Sequence, residues 1–173
     1  MENKNEIRIY MACLASYNNG ILHGRWIDAL SSEDHVRQEV TAMLAASPIE
    51  GAEEWAMHDY EGFGGVRLSE WEDIAAICGM AEFIQGNDDL GVAVLEHYAG
   101  DLEMSRSAVE DHYAGCYRSV AEFAEEMAEQ QVEQIPETLC FYIDYDAMAR
   151  DMLINDVFAI ELSHNEVHIF WQH

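Results

Sequence analysis

The sequence predicts an α+β protein, and three features of its patterning predict it. Two apolar strand-like runs flank a polar turn near the start, a mostly helical stretch runs from residue 69 to about 131, and an alternating pair of short runs stands near the end. Residues 7 to 15, Ile-Arg-Ile-Tyr-Met-Ala-Cys-Leu-Ala, read as a strand. Ser16-Tyr17-Asn18-Asn19-Gly20 follows as a turn and residues 21 to 29 as a second strand. Ser31 with Asp34 three residues later resembles a capping box, which opens a helix to about Ala46 through Val36, Val40, Met43 and Leu44. Pro48 ends it. Residues 54 to 60 supply a third strand, so the first sixty residues form a small α+β unit, and Gly62, Gly64 and Gly65 mark its boundary.

Ser69 and Glu72 repeat the capping-box spacing. Beyond them Trp71, Ile74, Ile77, Cys78 and Ala81 fall on one helical face, leaving Glu70, Asp73 and Glu82 to the water. Shorter helices are expected over residues 88 to 98 and 105 to 111. His-Tyr-Ala-Gly occurs at 97 to 100 and again at 112 to 115, too short a match for a repeat architecture; the second copy, with Cys116 and Tyr117, reads as a short strand. In residues 119 to 131, Val120, Phe123, Ala124 and Met127 form an apolar stripe, and Glu122, Glu125, Glu126 and Glu129 form an equally regular acidic one. Like charges at this spacing cost a helix about 0.2 to 0.5 kcal/mol per pair. A solvated helix face is the bland reading of that stripe. Its recurrence on other surfaces weighs against it.

Pro136-Glu137 opens a helix expected to reach about Leu153, apolar or aromatic nearly all round. A single core needs only one apolar stripe, so this helix is expected to cover its own domain on one side and another surface on the other; a core helix within a monomer is the alternative. Asp146 and Arg150 are spaced to pair. Residues 157 to 162 and 167 to 171, separated by Ser163-His164-Asn165-Glu166, close the chain as a hairpin.

The charge excludes several functions. The chain has 173 residues, half of them apolar, with 34 Asp and Glu against 8 Lys and Arg and a formal net charge of −26. The apolar half is too large for a disordered acidic tail. Lys4 and seven scattered arginines cannot form the basic stripe that phosphates require, so neither direct nucleic-acid binding nor attachment to an anionic membrane is expected. No stretch approaches the roughly 20 apolar residues of a bilayer span. The opening Met1-Glu2-Asn3-Lys4 lacks the form of a signal peptide, which makes the cytoplasm the default location. Residues 1–60 hold 10 acids and 4 bases, 61–130 hold 16 and 3, and 131–173 hold 8 and 1. No third is neutral, so the negative charge belongs to the folded body.

Chemistry finds little support. Cys13, Cys78, Cys116 and Cys140 are far apart without a CxxC pair, and are expected to be reduced, partly buried packing residues. The chain lacks a G-x-S-x-G elbow, a P-loop, a G-x-G-x-x-G fingerprint and an H-E-x-x-H motif. His164 and His168 lie in the hairpin rather than on one helix face, a poor metal pair. Residues 86 to 91 superficially suggest a calcium loop, but the twelfth position would then be His97. Asp144 and Asp146 would sit on opposite helical faces. No cofactor is expected.

A negative body can stand in for DNA. Duplex DNA carries about one charge per 1.7 Å, so a charge of this size corresponds to roughly 44 Å of duplex. Carboxylates could then occupy the Lys and Arg sites of a DNA-handling enzyme. An acidic binding or scaffold protein of halophilic type has the same composition, and a carboxylate hydrolase is a third possibility.

Particular residues add a resemblance. They include Ile9-Tyr10-Met11-Ala12-Cys13-Leu14 with Tyr17-Asn18-Asn19-Gly20, Gly24-Arg25-Trp26-Ile27-Asp28, and Trp55-Ala56-Met57-His58-Asp59-Tyr60-Glu61-Gly62. Above all there is Pro136 to Asp151, where Phe141-Tyr142-Ile143-Asp144-Tyr145 is followed by Ala149-Arg150-Asp151. Together they resemble the ArdA antirestriction proteins, and the last segment resembles the family's antirestriction motif. Cys140 and Phe141 stand where that family often carries more polar residues. The resemblance implies an elongated α+β protein of three small domains: residues 1–62, α+β; 63–108, helical; and 109–173, α+β. It implies that Pro136, Tyr142, Ile143, Asp144, Tyr145, Ala149, Arg150 and Asp151 form the motif, near a homodimer contact. It implies a DNA mimic that inhibits type I restriction-modification complexes and protects incoming mobile DNA, with neither catalysis nor cofactor. The candidates for phosphate mimicry rest on the charge pattern alone: Glu70, Asp73, Glu82, Asp88, Asp89, Glu122, Glu125, Glu126 and Glu129.

Overall fold

The computed structural model of the chain describes residues 6–173; the expectation drawn from Met1 to Lys4 lies outside them. The chain divides into two compact units, Met1–Leu102 and Glu103–His173. The described residues form a mixed α+β structure with seven helices and two three-stranded antiparallel sheets.

In the first unit β1 (Arg8–Cys13) lies between β2 (Gly24–Asp28) and β3 (Trp55–Glu61). Strand alternation buries Ile9, Met11 and Cys13 completely, and the apolar stripe of α2 (Glu33–Ala45), formed by Val36, Val40 and Met43, is buried with them. The N-cap of α2 is Ser32 rather than Ser31. The Ser32 hydroxyl accepts the His35 N–H at 3.2 Å, while the Asp28 carboxylate accepts the Leu30 N–H at 2.9 Å and holds the preceding residues in a turn. The first strand also stops earlier than its apolar run suggests. Leu14–Asn18 forms a short helix, α1, in which Ser16 is buried and its hydroxyl meets that of Ser47 at 2.9 Å. Gly62 ends β3 at φ +87, where an added Cβ would stand 2.7 Å from the Glu6 carbonyl oxygen.

The helix expected from Ser69 begins later, as α3 (Ile74–His97). Ser69 and Glu72 do interact, through the Ser69 N–H and the Glu72 carboxylate at 3.3 Å, but they close a turn before the helix. Trp71 is therefore not on the buried face. It is 66% exposed, whereas Ile74, Ile77, Cys78 and Ala81 are buried as expected. The backbone breaks out of helical geometry at Asp88, with φ 49 and ψ −135, so the last stretch of α3, up to His97, is the separate shorter helix expected there, joined to the first across a kink. The first His-Tyr-Ala-Gly closes α3, with Ala99 and Gly100 at positive φ and the Gly100 N–H donating to the Leu95 carbonyl at 2.8 Å.

Helix α4 (Leu102–Asp111) leads into the second unit, where the other copy of those four residues enters β4 (Tyr113–Tyr117). The rest follows as α5 (Val120–Gln131), α6 (Glu137–Cys140), α7 (Tyr145–Asn155), β5 (Val157–Ser163) and β6 (Glu166–Trp171). The sheet order is β4-β6-β5, and the anticipated hairpin joins β5 to β6 through Asn165 at φ 65. Phe123 and Ala124 of α5 and Ala149 and Met152 of α7 pack with Val157, Val167 and Ile169 of the sheet. The Ser119 hydroxyl caps α5 by accepting the Glu122 N–H at 3.1 Å.

The single helix expected over residues 136 to 153 is two, α6 and α7. Asp144 breaks it: its carboxylate accepts the Ala147 N–H at 2.9 Å and caps α7, so Asp144 and Asp146 are not opposite faces of one helix. The expected Asp146–Arg150 ion pair does not form among the described residues. All four cysteines are free; Cys13 and Cys78 are buried, Cys140 half-buried, and Cys116, against expectation, exposed on β4. Among the described residues no helix is long and apolar enough to cross a membrane.

Candidate functional site

The acidic candidates fall into two groups, one in each unit. In the first, Glu70 and Asp73 flank Trp71 in the turn before α3, and Glu82, Asp88 and Asp89 lie on α3; all five are exposed. The Met57 N–H donates to the Glu70 carbonyl at 3.1 Å, which ties this turn to β3. Asp73 is the N-cap residue of α3, but its side chain accepts no cap hydrogen bond. The Arg37 guanidinium approaches it at 3.6 Å.

In the second unit Glu122, Glu125, Glu126 and Glu129 share α5, as the periodicity predicts. Their situations differ. Glu125, Glu126 and Glu129 are exposed, whereas Glu122 is half-buried and takes hydrogen bonds from the Arg118 side chain at 2.8 Å and its backbone N–H at 2.7 Å. Those bonds hold the Glu122 carboxyl below the usual carboxylate range. Its charge is compensated where it stands, which leaves the other three to project the field. Tyr145, at the start of α7, is raised by burial and then by Glu125 and Glu129.

The motif residues divide by role. Pro136 precedes α6, its carbonyl accepting the Leu139 N–H at 2.8 Å. Asp144 caps α7, Ala149 is buried in the core, and Ile143 and Tyr145 are half-buried. Tyr142, Arg150 and Asp151 face the solvent. Around them Phe141 is 90% and Tyr142 84% exposed, with Leu139 exposed beside them. Three large apolar or aromatic groups thus stand in water on one short segment.

The Glu166 carboxyl, like that of Glu122, is held below the usual carboxylate range, chiefly by the Ser163 hydroxyl that donates to it at 2.6 Å. A general acid needs the opposite shift. His164 is exposed in the hairpin turn, whereas His168 is buried in β6 with Nδ1 and the Tyr113 hydroxyl 2.8 Å apart. Among the described residues no three His, Cys, Asp or Glu are placed to share a metal ion.

Sequence reasoning missed Glu53, Glu54 and Trp55, which line a cavity with Trp71 and Asp73. The signal was present as two acid–tryptophan clusters, Glu53-Glu54-Trp55 and Glu70-Trp71-Glu72-Asp73. It was hidden by the placement of Trp71 on a buried helical face.

No curated protein matches the chain. The sequence profile of the antirestriction protein (ArdA) family, however, matches residues 9–166 of the 173, from within β1 to the start of β6, and includes both acidic groups and the whole motif segment. The chain belongs to the ArdA antirestriction protein family.

Proposed function

We propose that this protein inhibits type I restriction-modification complexes by occupying their DNA-binding groove as a mimic of duplex DNA. The observation that carries the reading is the α5 stripe: Glu125, Glu126 and Glu129 stand exposed at regular spacing, while Arg118 is paired with Glu122. Fixed carboxylates at a helix face offer lysine and arginine sites the complementarity that phosphates offer, and steer the encounter. Glu70, Asp73, Glu82, Asp88 and Asp89 offer carboxylates of the same kind within the first unit. The protein acts as an inhibitor in the cytoplasm, encoded with mobile DNA, without catalysis, without a cofactor, and without itself binding nucleic acid. We keep residues 1–62, 63–108 and 109–173 as its three functional segments.

We further assign the motif a homodimer contact. Its support is the exposure of Leu139, Phe141 and Tyr142, an apolar surface that a second copy would cover. The experiment is a restriction assay with purified type I complex and unmodified duplex. Inhibition should be relieved by added competitor DNA and should weaken as salt rises, because the contact is electrostatic. Inhibition indifferent to competitor DNA overturns the mimicry. Stability rising steeply with molar salt, with no inhibition at all, would identify an acidic protein of halophilic type instead.

A further inference from the structure

The segment 53–55 and the turn 69–73 are brought together around β3. The Glu54 carbonyl accepts the Leu14 N–H at 3.0 Å, and the Met57 N–H reaches the Glu70 carbonyl at 3.1 Å. The Ser69 hydroxyl accepts the Trp71 N–H at 3.2 Å and fixes the turn that presents the indole. Between them lies a cavity of about 470 Å³ lined by Glu53, Glu54, Trp55, Trp71 and Asp73. Its lining residues are thus two tryptophans and three acids, and the one cation that reaches any of them among the described residues is Arg37, at Asp73. Neither indole has an aromatic neighbour among the described residues.

The lining selects its occupant by chemistry. An anion would meet three carboxylates, and an uncharged apolar group would bury them without compensation. A cation gains both the carboxylates and the negative faces of the indoles. A guanidinium does so best, because it is planar, stacks on an indole and meets a carboxylate with two parallel N–H donors. The chain's own Arg37, already 2.7 Å from Glu33, points a guanidinium nitrogen at Asp73 from 3.6 Å.

We propose that this cavity receives a single arginine side chain from the partner protein. The identity of that partner as a restriction complex rests on the function proposed above; the chemistry of the cavity does not.

The test uses the full chain and the indole N–H resonances of its four tryptophans, titrated at low salt with N-acetyl-arginine amide. Trp55 and Trp71 should shift saturably while Trp26 and Trp171 stay still, and the neutral citrulline analogue should move none of them. Trp71→Ala, a change at an exposed side chain, and Asp73→Asn, which keeps a good capping residue, should each weaken the Trp55 response by about fivefold or more. Four indoles moving alike, a citrulline response equal to that of arginine, or no saturable shift overturns the cavity as an arginine site. In the restriction assay Trp71→Ala should raise the half-inhibiting concentration by about tenfold. If arginine binds but Trp71→Ala inhibits like wild type, the partner assignment falls and mimicry survives. If wild type does not inhibit, the proposed function falls and the indole titration still decides the cavity.

Discussion

The two units carry similar charge but handle it differently. Met1–Leu102 holds 19 acids against 5 bases, and Glu103–His173 holds 15 against 3. In the first, two arginines join elements that are distant in sequence, beside the local pair of Arg37 with Glu33. Arg8 of β1 meets Glu61 at the end of β3 at 2.7 Å, and Arg25 of β2 meets Glu39 of α2 at 2.8 Å. In the second, among the described residues, the arginine ion pair is that of Arg118 with Glu122, four residues along. Exposed pairs of this kind contribute about 0.2 to 1 kcal/mol each, so they adjust a fold that burial has already fixed. The lesson is that the first unit uses part of its acid to hold its sheet and helix in register. The second engages its acids through neighbours close in sequence, such as Arg118 with Glu122 and Ser163 with Glu166, and depends on the core beneath α5.

The strongest test of that contrast is Phe123→Ala. Phe123 is fully buried in the cluster that joins α5 and α7 to the sheet, and its removal should cost about 3 to 5 kcal/mol. Urea unfolding followed by circular dichroism measures it. A loss below about 1 kcal/mol would mean that something other than the core holds the acidic helix. The next largest effect belongs to the first unit. Gly62→Ala must displace the Glu6 carbonyl and adopt φ +87, which should cost about 1 to 3 kcal/mol in the same measurement.

These two residues also show how legible the fold was. Phe123 announced itself, because an apolar stripe at helical spacing beside an acidic one has a single reading. The three strands of the first unit and the closing hairpin were equally clear, since alternation and turn residues agree there. What escaped notice was decided by individual side chains. Asp144 turns one apolar run into α6 and α7 by accepting a single N–H, and Ser16, in the short helix that follows β1, meets Ser47, a residue 31 positions away. The two copies of His-Tyr-Ala-Gly make the limit plain: the same four residues end a helix at 97–100 and enter a strand at 112–115, because β6 stands beside only the second. The acidic stripe of α5 was readable by the same rule as Phe123. The cavity with Trp55 and Trp71 was not, because it joins two segments only once β3 is in place.

Acidity brings a third, smaller contrast within α5 itself. Because the folded pKa of Glu122 is lowered, its interaction stabilises the fold above the unfolded carboxylate value of about 4.3, and that contribution is lost as pH falls through the folded value. Glu122→Gln should therefore lower the urea midpoint at pH 7, and the gap from wild type should close as the pH falls below about 4. A gap that persists at low pH would assign Glu122 a packing role rather than an ionic one.

The smallest expected effect on stability separates the two uses of acid most sharply. Glu125 and Glu129 are exposed, one helical turn apart, and each raises the Tyr145 hydroxyl after burial has done so. No ion pair engages either among the described residues. Replacing both by glutamine should stabilise the protein by about 0.2 to 0.5 kcal/mol, the repulsion of one like-charged pair. If the stripe meets cations of a restriction complex, the same double variant should weaken inhibition, most visibly at low salt where the field reaches furthest. Stability and inhibition would then move in opposite directions. A residue kept for the fold cannot do that, whereas a residue kept for its field must. Unchanged inhibition in a stabilised variant would place the contact surface elsewhere and return the α5 stripe to a solvated helix face.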